Sequence, residues 1–394
     1  MREVVIVGMA RTPIGSFGGV LRPLLANELG VIAVKEALRR SGLTDLSLVD
    51  DVLIGNCMMR TDEINVARCI GLQSGIPFTT PAATIQRQCA SGMQATVFGM
   101  QKIQLGEDDI VVVGGCESMS NVPYVLKDLR WGARQFDVKA TDALFEGLTD
   151  PLHHILMGVT AENLATKYNI SRNEQDELAL LSQRRAIAAM DNGWFKEEII
   201  PVPIPQKKGE PLMIATDEHP RREATLESLG KLKPVFKKDG TVTAGNASGL
   251  NDGAAAMVLM SLDKCRELGL KPIARIVDHA VAGVEPELMG YGPVPAVKKL
   301  LARTGLSLDK IDVLEVNEAF AAQYLACEKL LELDRSKTNI VGSGIALGHP
   351  VGATGCRLII TLVHQMKRLG KKRGLATLCV GGGMGKATLV EMMD

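Results

Sequence analysis

The last third of this chain echoes the first. Asp51-Val52-Leu53-Ile54-Gly55-Asn56 is matched by Asp312-Val313-Leu314-Glu315-Val316-Asn317. Thirty-three positions lie from Asn56 to Cys89, and thirty-two from Asn317 to His349. Cys89-Ala90-Ser91-Gly92 and His349-Pro350-Val351-Gly352-Ala353-Thr354-Gly355 each run into a helical pattern. Val112-Val113-Gly114-Gly115 finds its counterpart in Cys379-Val380-Gly381-Gly382. Chance can supply any one pair, but three in the same order at similar spacing predict a duplicated fold. Two such halves pack about a pseudo-twofold axis, so that elements at equivalent places converge on one central site.

Within each half, buried strands alternate with helices. Val4 to Val7 is continuously apolar, the mark of a strand covered on both faces. Asn27 to Arg40 places Leu29, Ile32, Ala33 and Ala37 on one helical face. Strands follow at 51–56, 82–85 and 109–115, with helices from Asn65 and from Met93, and this alternation predicts a layered α/β fold. From Ser120 to Lys238 the texture changes: prolines and charges rise and the strand pattern lapses. Ala161–Tyr168 and Glu174–Asp191 read as helices there, the second capped by Ser171 with Glu174 three residues on. An insertion of this length reads either as surface or as a ligand-holding lid. After it, the run of small residues from Thr243 to Gly253 would let a ligand approach the backbone closely.

The chain's 394 residues suffice for two or three domains, and its 45 basic and 45 acidic side chains leave no field that points to nucleic acid. Eight scattered cysteines without a Cys-x-x-Cys pair predict neither a zinc site nor a redox pair. The opening residues already read as a strand rather than a signal peptide, and no apolar run is long enough to span a bilayer. A soluble, cytoplasmic protein is expected.

Cys89 sits where the 82–85 strand turns into a helix. Free N–H groups and the positive helix end at such a corner favour a thiolate, so a lowered thiol pKa is expected. The alternative is a small buried cysteine in a core helix.

Taken together, Gln88-Cys89-Ala90-Ser91-Gly92, Gly245-Asn246-Ala247-Ser248-Gly249, Asn317-Glu318-Ala319-Phe320-Ala321, Gly348-His349-Pro350-Val351-Gly352-Ala353 and Cys379-Val380-Gly381-Gly382-Gly383 resemble the thiolase family, nearly end to end. The resemblance implies a thiolase fold: a duplicated five-layer α-β-α-β-α core with an inserted loop domain. The divisions it implies are residues 1–119, completed by about 245–270, for the N-terminal half, 120–244 for a CoA-binding loop domain, and 271–394 for the C-terminal half. It also implies an acyl-CoA:acetyl-CoA C-acyltransferase, joining two acetyl-CoA into acetoacetyl-CoA or cleaving 3-ketoacyl-CoA. Longer-chain or branched 3-ketoacyl-CoA thiolysis is the alternative, and a silent acyl-CoA-binding scaffold is a third reading. A homotetramer, as a dimer of dimers, or a homodimer is implied.

By resemblance, Cys89 is the acylated nucleophile, His349 takes its proton, and Cys379 moves the α-proton. Gly381 and Cys89 supply N–H groups for a tetrahedral intermediate, and Asn317 holds a water for the enolate oxygen. Coenzyme A is a co-substrate; no tightly bound cofactor and no metal are implied. Ser248 and Ala244 match pantetheine contacts, Arg221 and Ser228 match positions near the nucleotide, and Met157 and Phe320 match the acyl pocket. Arg221 also reads as a solvated surface charge, and Met157 and Phe320 as core. Two departures stand out. Leu156 stands where short-chain relatives often carry a histidine, which loosens the expectation of strict acetoacetyl-CoA preference. Gly342-Ser343-Gly344 reads as a turn that alters little.

Overall fold

The computed structural model describes residues 1–393. Its larger elements are β1 (Val4–Arg11), α1 (Ala26–Ser41), β2 (Asp51–Gly55), α2 (Val66–Gln73), β3 (Ala82–Ile85), α3 (Ser91–Leu105), β4 (Ile110–Ser118), α4 (Met157–Lys167), α5 (Arg172–Asp191), β5 (Asn251–Ser261), β6 (Ala274–Gly283), α6 (Pro293–Thr304), β7 (Val313–Val316), α7 (Ala321–Leu331), α8 (Val351–Leu369), β8 (Arg373–Val380) and β9 (Met384–Met392). β1 runs on past the apolar stretch to Arg11, which still pairs with Ala255. The Ser171–Glu174 capping box forms as the spacing predicts.

The strands run in the order β7-β8-β9-β6-β1-β5-β4-β2-β3. β1 and β6 share two register pairs, Val5 with Arg275 and Ile6 with Ala274, which hinge two half-sheets together. Alternation along the strands then dictates the layers. Val5 and Val7 pack with α1 and α2, whereas Val4 and Ile6 pack with α3 and α8. In the other half, Leu314, Val316, Leu375 and Leu389 face α4, α6 and α7, while Val313, Ala376, Leu378 and Val390 face α8. Helices therefore cover each half-sheet, and α3 with α8 fill the space between, giving the expected α-β-α-β-α stack. The two central helices touch near their N-termini at Gly92, where a β-carbon would lie 2.7 Å from the Gly352 carbonyl oxygen. Cys89 and His349 immediately precede these two helix starts.

The repeat is real, but its third pairing is displaced. Gly55 lies opposite Gly115 and Val316 opposite Thr377 in the two parallel ladders. The place of Gly115 is therefore taken by Thr377, and Cys379 occupies the place of Glu117. The antiparallel ladders agree, pairing Glu117 with Gly253 and Cys379 with Gly385. The glycine pairs that suggested the other match end a strand in one half and sit inside one in the other.

The segment between β4 and β5 is anchored to the core through Arg11. Its buried guanidinium meets Glu198 and Asp217, each at 2.7 Å. Cutting a buried pair of this kind strands a charge, at a cost of about 3–5 kcal/mol.

Candidate active site

A tight turn presents Cys89. Ala90 N–H donates to Arg87 O at 2.9 Å, and Ser91 N–H to Gln88 O at 3.0 Å. The Ser91 hydroxyl donates to Gln88 O at 2.6 Å and accepts from Arg87 N–H at 2.9 Å. These bonds hold Gln88 at φ +46°, a left-handed conformation that costs a residue bearing a β-carbon about 1–2 kcal/mol. The thiol that follows is aimed out of the helix into a cavity.

Burial pushes the Cys89 thiol up to about 11, against the pull of N–H groups from Gly381 and from Cys89 itself. The expected thiolate is therefore overturned for the free protein. Helix-end and N–H contacts are present, but loss of hydration outweighs them, and the nearby Glu117 carboxylate acts in the same direction as burial.

His349 is buried and neutral. Burial, with Arg357 second, pushes its pKa down to about 3. Its Nδ1 lies 2.7 Å from the Thr354 hydroxyl, whose single proton goes to the Pro350 carbonyl at 2.9 Å. The hydroxyl therefore accepts from Nδ1–H, and Nε2 carries the ring's lone pair. Asn251 Oδ1 fixes the backbone by accepting His349 N–H at 2.8 Å.

Asn317 follows β7, its N–H donating to Thr377 O at 2.9 Å. Its Nδ2 is 3.5 Å from His349 Nε2, and its Oδ1 is buried without a partner among the described residues. A water is the usual resident of such a place. A β-carbon on Gly344 would lie 2.7 Å from that same Oδ1. The Gly342-Ser343-Gly344 departure is thus no remote turn: it backs directly onto Asn317. Cys379, buried near the end of β8, has its thiol pushed well above the ordinary value by burial, with Cys89 the second cause.

Cys89 and His349 meet at a cavity of about 370 Å³ whose walls also include Met157, Phe320, Ser248 and Ala244, whereas Asn317 and Cys379 are not among its walls. Leu156 also lines it, and Phe236 packs edge-on against Phe320 with ring centres 6.1 Å apart. Arg221 and Ser228 are not among its walls; both are exposed. The Ser228 hydroxyl is engaged at 2.9 Å with Thr225 O. Arg222 is tied to Asp191 at 2.7 Å, whereas Arg221 has no carboxylate partner among the described residues. No group of three or more metal-ligating side chains is gathered among the described residues, and no helix there is long and apolar enough to cross a membrane.

Thr354, Asn251, Gln88 and Glu117 are the functional neighbours that sequence reading did not single out. Gln88, Asn251 and Thr354 lie inside quoted stretches, so their presence was legible, but their partners were not.

Two family models match the chain: "Thiolase, N-terminal domain" over residues 4–263 and "Thiolase, C-terminal domain" over residues 270–392. An acetyl-CoA acetyltransferase of Pseudomonas aeruginosa is 49% identical over 388 residues, 98% of each chain. The crystal structure of the Bacillus anthracis acetyl-CoA acetyltransferase superposes with a TM-score of 0.98 at 51% identity, covering 100% of this chain and 99% of that one. That of human mitochondrial 3-ketoacyl-CoA thiolase in complex with CoA superposes at 0.96 and 46% identity, covering 100% and 98%.

Proposed function

The chain belongs to the thiolase family, and from that premise we propose how its own residues divide the work of acyl transfer between coenzyme A thioesters. It is an acyltransferase acting by Claisen condensation and thiolysis. The reading of the site rests chiefly on one observation: Cys89 and His349, from opposite halves of the duplication, line one cavity, with Gly381 beside Cys89 at an adjoining one.

In thiolysis, the Cys89 thiol gives its proton to His349 Nε2 as sulfur attacks the 3-keto carbon. The resting pair is neutral, so this transfer accompanies attack rather than preceding it. The new alkoxide is stabilised by the N–H groups of Cys89 and Gly381, each such donor being worth about 10²–10³ in rate. Collapse breaks the C2–C3 bond, and the electron pair leaves as an acetyl-CoA enolate. Its oxygen faces His349 Nε2–H and a water held by Asn317; its C2 takes the Cys379 proton. Incoming CoA then returns a proton to Cys379 and attacks the acyl group. The Cys89 sulfur departs and recovers its proton from His349. Condensation runs these steps backwards.

Ser248 and Ala244 are proposed to hold the pantetheine arm at the cavity wall. Arg221 suits the nucleotide phosphates, because its guanidinium is exposed and free of carboxylates. Residues 120–244 are read as the CoA-holding loop domain between the halves 1–119, with about 245–270, and 271–394. A cytoplasmic homotetramer or homodimer is the expected form.

Acetoacetyl-CoA is the first substrate to test. The apolar walls contributed by Leu156, Met157 and Phe320 favour longer or 2-methyl-branched 3-ketoacyl-CoA as well. Thiolysis rates across chain lengths measure this directly, and a preference confined to acetoacetyl-CoA removes the broader reading. Cys89→Ala should abolish both turnover and label capture from acetyl-CoA with folding intact; retained capture would take the nucleophile's role from Cys89.

A further inference from the structure

We infer that Glu117 is a positioning residue, a buried carboxylate that fixes the nucleophile and the base relative to one another across the two halves of the fold. The inference rests on the roles proposed above for Cys89 and His349. Glu117 lies on β4 at the place Cys379 holds on β8, and Asn56 stands at the place of Asn317. The N-terminal half thus carries its own counterpart of the Asn317–Cys379 pair, with a carboxylate where the other half has a thiol.

The Glu117 side chain receives four N–H donors, two per oxygen. Oε1 accepts from Asn56 Nδ2 at 2.8 Å and from Met58 N–H at 3.1 Å. Oε2 accepts from Cys57 N–H at 3.0 Å and from Gly352 N–H at 2.9 Å. That is the full complement of an ionised carboxylate, and none of the four can accept from a protonated one. A β-carbon on Gly352 would lie 2.8 Å from Oε2, so the helix start is bare where the carboxylate meets it.

Two of these contacts, those of Gly352 and Cys57, lead to the proposed catalytic groups. Gly352 belongs to the first turn of α8, three residues after His349, and its N–H is one of the free donors of that helix end. Cys57 donates from Sγ to Gln88 Oε1 at 3.5 Å, and Gln88 is the left-handed residue that aims Cys89. One carboxylate therefore holds the loop that supports the nucleophile's turn and the helix that carries the base. The titratable groups facing it are the thiols of Cys57, Cys89 and Cys116, each pushed up first by burial and further by the Glu117 charge. Burial pushes Glu117 itself up to about 7, against its four N–H bonds.

Glu117→Gln tests this in the full-length enzyme. It keeps the shape, removes the charge and turns one acceptor into a donor. Two consequences are expected together. The kcat for thiolysis falls at least about tenfold with KM within about threefold, since misplacement of about 1 Å can cost about 10² in rate. The pH midpoint for alkylation of Cys89 by iodoacetamide, read by mass spectrometry of that peptide, moves to lower pH as the opposing charge goes. A kcat within twofold of the parent, or a loss of kcat with an unmoved midpoint, overturns the inference; the latter marks a purely structural contact. Should Glu117→Gln not fold, Asn56→Leu removes one donor from Oε1; a kcat loss with KM held supports the role, and unchanged kcat overturns it. Persistent turnover in Cys89→Ala would instead overturn the proposed function, independently of these results.

Discussion

Asn251 and His349 are joined by a 2.8 Å hydrogen bond from the His349 N–H to the Asn251 side-chain oxygen, although 98 positions separate them in the chain. Asn251 starts β5 of the N-terminal half, and its Nδ2 donates to Gly15 O at 3.0 Å. His349, the proposed base, is thus held by the half that carries Cys89, the proposed nucleophile. Asn251→Ala should lower kcat about tenfold or more by freeing the His349 loop, and lower stability by about 1–3 kcal/mol by leaving a buried N–H unpaired. Steady-state kinetics and urea denaturation check both; an unchanged kcat would separate this bond from catalysis.

The tautomer of His349 depends on Thr354. Thr354→Val keeps the volume and removes the acceptor of Nδ1–H. With that proton free to move to Nε2, the base is spoiled in part of the population. A loss of about 10–100-fold in kcat is expected, with Thr354→Ser retaining most activity. Equal damage from valine and serine would point to packing instead.

Gly344 leaves room for the Asn317 amide, and Gly344→Ala would place a methyl 2.7 Å from Oδ1 and 2.7 Å from the Glu318 carbonyl. Asn317 must then shift, carrying with it the proposed enolate site. The expected loss is about 10²-fold in kcat, the scale of one oxyanion donor. Activity close to that of the parent would show that Gly344 does not govern the Asn317 site.

Acid should destabilise the fold through its buried histidines. Burial lowers His349 to about 3 and His219 to about 4, below the ordinary 6.5. Because the unfolded chain binds the extra protons first, stability is full above pH 6.5 and falls as pH drops from 6.5 towards 3–4. Each such group contributes up to about 1.4 kcal/mol per pH unit in that window. Urea midpoints between about pH 7.5 and 5 measure the slope, and His219→Gln should reduce it by close to one proton. An identical slope in that variant would remove His219 from the account.

Leu156 sets the last prediction. Leu156→His puts a polar ring into the apolar wall, and its imidazole loses hydration without a defined partner. The rate ratio of 3-ketohexanoyl-CoA to acetoacetyl-CoA should fall about threefold or more, because an apolar pocket gains about 1–3 kcal/mol from each methylene it accommodates. Competing-substrate kinetics decide it: an unchanged ratio would show that the chain extends along a different wall.

Much of this molecule was readable in one dimension. While the roles proposed for the two side chains rest on the family resemblance, the duplication, Cys89 before one central helix and His349 before the other follow from a strand pattern, a helix start, and small residues where backbones must meet. The same is true of Gly381, whose bare flanks advertise an exposed N–H. Such features depend on a few adjacent residues, so sequence alone determined them. Other features belong to the packed molecule. The thiol of Cys89 was expected to ionise easily because a helix end is visible in the sequence, but the burial that wins is the work of both halves closing around it. Cys379 was aligned with Val112 by the paired glycines that follow each, because only hydrogen-bond register shows that Glu117 is its counterpart. The grip of Asn251 on His349, and of Glu117 on Gly352, joins residues at separations of 98 and 235 positions. No local pattern encodes such pairs, because they exist only once two half-sheets and two central helices have been pressed into one core.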